Sequence, residues 1–221
     1  MEIGIHLYFQ IFSLLFAIFS YKQKRNKIQL YFIPFLFVTV IVEFIGTWYL
    51  FKGYKNYWMY NVFTTSEFLF YSAIFYINLK RFIPRKIVFW FVPFYLTIVI
   101  ANMLFIQGFN KTFNTYTFLL GSFFIVVFCC FFYYESVLPE QIDQQLSKQP
   151  FFWICSGLLI FYLGSVIINA LFEYLRNNDL QIEGIKIYGF INHSLNVILY
   201  SSFCIAFYLC PDNKKISSSP S

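Results

Sequence analysis

Seven stretches of this 221-residue chain carry almost no charge, at 3–20, 28–51, 56–79, 87–110, 112–134, 151–175 and 187–209. Each is long enough to cross a hydrocarbon core of ~30 Å as an α-helix rising ~1.5 Å per residue. Backbone N–H and C=O groups in lipid find partners only inside a helix or a closed barrel. Barrel strands would be about ten residues of strict alternation, which these runs are not. The pattern predicts an all-α membrane protein: one bundle of about seven transmembrane helices over 1–210, then a short, polar, disordered tail over 211–221.

Composition excludes the competing classes. One soluble core of this size could not hide 33 Phe and 18 Tyr, whereas a lipid bilayer accepts them. The net charge of +6 would suit nucleic acid. Here, however, Lys and Arg sit in short gaps between apolar runs, where they set topology, and no nucleic-acid partner is expected. The N-terminus does not read as a cleaved signal. It opens with acidic Glu2, lacks a basic leader, and its positive cluster follows the apolar run.

Loop charge gives a direction. Lys22, Lys24, Arg25 and Lys27 lie between the first two spans, and Lys80, Arg81, Arg85 and Lys86 between the third and fourth. The opposite side offers Lys52, Lys55 and Lys111 early in the chain. With Lys148, Lys214 and Lys215, most of the 16 basic residues fall on one side, which predicts the N-terminus outside and the C-terminus in the cytoplasm. A bacterial cytoplasmic (inner) membrane is the expected location. The fifth loop weakens the pattern, because Glu135, Glu140 and Asp143 accompany its single Lys148.

Function is sought in the polar residues that lipid should forbid. They fall on helical stripes, since spacings of three, four and seven share a face. Span one carries His6, Gln10 and Ser13, and span two Thr39, Glu43 and Thr47. Span three has Thr64, Glu67 and Tyr71, with Asn61 beside them. Span six has Tyr162, Ser165, Asn169 and Glu173, and span seven has His193, Asn196 and Tyr200, with Asn192 adjacent. In the predicted orientation His6, Glu43, Glu173 and His193 lie in the outer half, with Glu67, Asn169 and Asn196 nearer the middle. Convergence of these faces would line an outward-facing cavity suited to a cationic group, a proton or a hydrogen-bonding small molecule.

Each candidate also has a structural reading. His6 and Glu173 are placed where interfacial residues sit, and buried Asn side chains often join helices at ~0.6 kcal/mol each. Glu43 and Glu67 are harder to explain this way, because a carboxylate at that depth is either held protonated or paired. His193 is the expected partner. The aromatic residues read mainly as lipid-facing and packing groups. Cys129, Cys130, Cys155, Cys204 and Cys210 form no C-x-x-C pair and read as structural thiols among helices.

Several chemistries lack their residues. The last span has no lysine for a retinal Schiff base, and two histidines are too few for seven-helix zinc hydrolases of the ceramidase type. No H-E-x-x-H, P-loop, dinucleotide or kinase motif occurs. No enzyme activity, cofactor or metal is expected.

Two regions carry a resemblance: YNVFTTSEFLFY (60–71), and FWICSGLLIFYLGSVIINALFEYL (152–175) with INHSLNVILYSSFCIAFYL (191–209). The Phe-Trp opening, Ser-Gly, Tyr-x-Gly-Ser and Asn/His-rich start of the last helix are similar to an uncharacterised family of small multi-span proteins in Bacteroidetes-type genomes. That family resembles membrane regions that accompany sensor histidine kinases. The resemblance implies a sensor or signalling adaptor with a cytoplasmic or membrane protein partner. A small-solute or proton-coupled transporter is the alternative, because spans one to three and five to seven would share an orientation in a 3+1+3 arrangement. Segments 67–76 and 196–205 then align, matching Glu67 with Asn196. A structural subunit of a membrane complex is the third reading.

Overall fold

A computed structural model describes residues 5–24, 26–138, 145–177 and 181–211, and among them the chain is all-α, with seven α-helices. These are α1 (Ile5–Lys24), α2 (Lys27–Phe51), α3 (Tyr57–Asn78), α4 (Phe82–Ala101), α5 (Thr115–Ser136), α6 (Pro150–Asn177) and α7 (Gln181–Leu209). α2, α5, α7 from Ile187, α6 to Leu171, and α4 extended to Ile106 are long and apolar enough to cross a membrane. By length and composition these five helices indicate an integral membrane protein. α3 is also long, but its polar stripe and ends keep it below that apolarity.

Helix limits follow capping and turn chemistry more closely than apolarity. α1 runs on through Tyr21–Lys24, and α7 begins six residues before the apolar run, because intrahelical hydrogen bonds do not depend on apolar side chains. α2 starts where the Asn26 side chain accepts the Ile28 amide at 2.9 Å, an N-cap. α4 passes into a π-helical turn, Asn102–Ile106, then stops short of the expected end at 110. The Asn102 carbonyl accepts the Gln107 amide at 2.9 Å and its side chain donates to Gln107 Oε1 at 3.0 Å. Gly108 (φ 76°) then turns the chain back, a left-handed conformation that a side chain would strain.

The helices are neighbours in the order α1–α2–α3–α5–α6–α7, and α7 returns to α1. α4 packs outside this ring against α3 and α5. α6 and α7 make the most extensive contact, at two glycines. A Cβ at Gly157 would lie 2.8 Å from Ser202 Cβ, and one at Gly164 would lie 2.5 Å from Leu195 Cδ2. Close backbone approach of this kind holds helices together in lipid, where apolar burial alone supplies little drive.

The solid core fills one end of the ring. Phe32 makes edge contacts with Phe70, Phe203 and Phe207 at 5.1–5.7 Å, while Phe75 and Phe132 bracket Phe151. At this closed end Gln29 Nε2 donates to Ser20 Oγ (2.7 Å) and to the Phe207 carbonyl (3.1 Å). Ser20 donates to the same carbonyl, and Lys24 donates to that of Tyr208. Three donors, one of them a cation, thus close the C-terminus of α7, where carbonyls lack intrahelical partners. Glu135, buried at the end of α5, accepts the Lys80 and Arg81 amides at 2.9 Å each, pinning the turn that leads into α4. It therefore belongs to a helix and not to the fifth loop. The outer surface is apolar, with Leu15, Phe19, Phe37, Phe44 and Phe123 all exposed.

Candidate functional site

The opposite end of the ring holds a cavity of about 500 Å³. His6, Glu43, Glu67, His193, Asn196 and Tyr200 all line it, brought together from α1, α2, α3 and α7. They meet because α1 and α7 run parallel. His6 stacks on His193 (ring centroids 4.5 Å apart, planes 13° apart), while Ser20 and Phe207 meet at the far end of the same pair.

At the mouth, His6 Nε2 lies 3.9 Å from Glu43 Oε2, and the Tyr60 hydroxyl donates to that oxygen at 3.3 Å. The imidazole facing Glu43 is therefore His6, not the expected His193, which stacks behind it and is largely exposed. Tyr60 reaches Glu43 across Gly46. A Cβ there would lie 2.2 Å from the Tyr60 oxygen, so glycine is what admits the hydroxyl. Asn56 donates to the Gly46 carbonyl at 3.1 Å and fixes the start of α3 on α2.

Glu67 is the floor. The Tyr71 and Tyr162 hydroxyls lie within hydrogen-bonding reach of its carboxylate, and Glu43 is close enough for the two charges to repel. Tyr71 is fully buried beneath the cavity, a supporting position and not a wall. On the far side of Glu67 a void of about 10 Å³, lined by Thr64, Tyr95, Ser122 and Tyr162, has room for about one water. The site thus places two carboxyl groups in a low-dielectric wall with aromatic neighbours and, among the described lining residues, no Lys or Arg. That arrangement favours a cation or a proton, and the hydroxyls and amides add hydrogen-bonding capacity.

Other expected residues sit elsewhere. Asn169 donates to the Ser165 carbonyl of its own helix at 2.7 Å and does not line the cavity, although Tyr188, which does, is within hydrogen-bonding reach of it. Asn196 lines the cavity while donating to the Asn192 carbonyl at 2.9 Å. The Glu173 side chain and residues 212–221 lie outside the described residues. Asn61 is structural: it donates to the Phe109 and Thr112 carbonyls and accepts the Asn114 amide, pinning the loop between α4 and α5. Cys129 and Cys155 pack together in the core, with Cys129 Sγ 3.6 Å from the Cys155 carbonyl, whereas Cys130 is exposed and does not pack among helices.

Sequence reasoning missed Tyr60, Tyr188 and the aromatic walls Phe63, Phe113, Phe118 and Phe161. Tyr60 was findable, since it precedes Glu67 by seven residues on one face of α3. The phenylalanines carried no signal among the 33 in the chain. No family model, no curated protein and no solved structure matches this chain.

Proposed function

We propose that the chain is a seven-span sensor or signalling adaptor of a bacterial inner membrane, with its N-terminus outside. In this reading it binds a small cationic or hydrogen-bonding ligand, or a proton, in the cavity, and helix shifts pass to a cytoplasmic partner. The observation that carries the reading is the gathering of Glu43, Glu67, His6 and His193 into one cavity at one end of the bundle. Charge supports the direction. Lys22, Lys24, Lys27, Lys80, Arg81, Arg85, Lys86 and Lys148 lie toward the closed end, and the positive-inside rule counts Lys and Arg, so Glu135 does not weaken it. Affinity purification from cross-linked native membranes tests the adaptor role. Recovery of a kinase or response regulator, altered in amount by Glu67→Gln, supports it, and absence of any stoichiometric cytoplasmic protein overturns it.

A second reading, a small-solute or proton-coupled transporter, has its own support. The ring α1–α2–α3–α5–α6–α7 with α4 outside follows a 3+1+3 order. Glu67 and Asn196, matched by the internal alignment, line one cavity, and the equally matched Tyr71 and Tyr200 lie near Glu67. Substrate-driven or proton flux into proteoliposomes that disappears in Glu67→Gln would establish transport in place of sensing. We do not adopt the subunit reading, because both carboxylates face groups of their own chain.

A further inference from the structure

A second concave region lies on the outer surface, at the closed end between α3 and α4. Its wide part, about 560 Å³, is bordered by Lys80, Arg85, Lys86, Phe82 and Trp90. Tyr76 and Phe89 line both this part and a further groove of about 430 Å³, so the two are continuous. The groove runs along the apolar flanks of Leu69, Ala73, Val92 and Pro93. Three cations therefore stand at one end of an apolar trough.

Arg85 and Lys86 are held in place by aromatic rings. Arg85 lies over the Tyr76 ring at 4.6 Å and Lys86 over Phe82 at 5.9 Å. Among the described residues no carboxylate forms an ion pair with Lys80, Arg85 or Lys86. The nearest acid along α3–α5, Glu135, spends both oxygens on backbone amides. Trp90, exposed beside them, is a residue type that settles at the headgroup level of a bilayer.

We propose that this groove is a binding site for a phospholipid with an anionic headgroup. The phosphate and headgroup would lie against Lys80, Arg85 and Lys86, and one acyl chain along Leu69, Ala73, Val92 and Pro93. Charge complementarity selects the headgroup, and the apolar trough selects a lipid over a free phosphate. The site is separate from the polar cavity and does not depend on what that cavity binds.

Native mass spectrometry of the full chain in detergent, titrated with phosphatidylglycerol or phosphatidylcholine of equal acyl length, tests it. Phosphatidylglycerol is expected to bind at least about tenfold more tightly, with each basic residue contributing roughly fivefold. The triple variant Lys80→Ala, Arg85→Ala, Lys86→Ala should bring both lipids to the same affinity. Should that variant not fold, Lys86→Gln alone should lose roughly fivefold for phosphatidylglycerol only. Ala73→Phe, filling the trough with the cations intact, should weaken both lipids. Equal binding of the two lipids by the unaltered chain would overturn the proposal, as would an equal loss from Lys52→Ala with Lys55→Ala at the opposite end.

Discussion

At the closed end of the bundle, Gln29, Ser20 and Lys24 bring donors to the last carbonyls of α7, and Glu135 accepts two amides at 2.9 Å. At the cavity end, Glu43 has a 3.3 Å hydrogen bond and a 3.9 Å imidazole contact, and His6 Nδ1, Gln10 Oε1 and Ser165 Oγ are buried without partners, whereas in the closed network Gln29 Oε1 is the one atom so left. The aromatic core follows the same division, filling the closed end and only lining the other. Buried polar groups that find most of their partners within the protein hold helices in place, whereas under-paired groups mark a place for water or a ligand. A carboxylate within the bundle is therefore not in itself a functional residue. Glu135 and Glu67 are the same side chain in opposite settings.

The sharpest way to break this contrast is to remove each acid. Glu135→Ala leaves two amides without their acceptor and should cost about 3 kcal/mol. SDS-driven unfolding in mixed micelles reads that loss. Glu67→Gln keeps the shape and relieves repulsion with Glu43, so it should stay within about 1 kcal/mol of the parent or gain stability while losing ligand response. Equal destabilisation by the two would make Glu67 a structural residue.

A second variant tests whether the closed packing depends on the α6–α7 glycines. Gly157→Ala drives a Cβ against Ser202 Cβ, which has no freedom to swing aside, and should cost about 2 kcal/mol in the same assay. Gly164→Ala meets the movable end of Leu195 and should cost less. The reverse order would mean that the helices separate there without resistance.

Much of this division could be read from residue spacing. The stripes Thr39–Glu43–Thr47 and His193–Asn196–Tyr200 each follow one helix face, and both reach the cavity because the apolar remainder must face lipid or core. Spacing could not assign partners. Which imidazole meets Glu43 depends on the parallel approach of α1 and α7, a contact between the two ends of the chain. Asn61 and Tyr60 are adjacent on α3, and a rotation of about 100° separates a loop anchor from a cavity wall. Glu135 was legible as an acid near a loop, but its amide partners lie 54 and 55 residues away.

Gln29→Leu removes a donor pair from the closed end and leaves Ser20 bonded to the Phe207 carbonyl, so about 1 kcal/mol should be lost. The smallest effect belongs to Gly46→Ala, which displaces the Tyr60 hydroxyl from Glu43 without altering either residue. Stability should change by less than about 1 kcal/mol, while ligand response at the cavity mouth should shift. A stability loss as large as that of Glu135→Ala would show that the mouth, too, is a structural joint.

Thiol labelling reads the difference between the ends directly. In a chain with its five native cysteines replaced, Asn196→Cys lines the cavity and Ser20→Cys lies in the closed network. A charged, membrane-impermeant thiol reagent added outside intact cells should modify Asn196→Cys, while Ser20→Cys should resist it from either side. Modification of Asn196→Cys only from the cytoplasmic side, or of neither position, would contradict a polar cavity that opens outward.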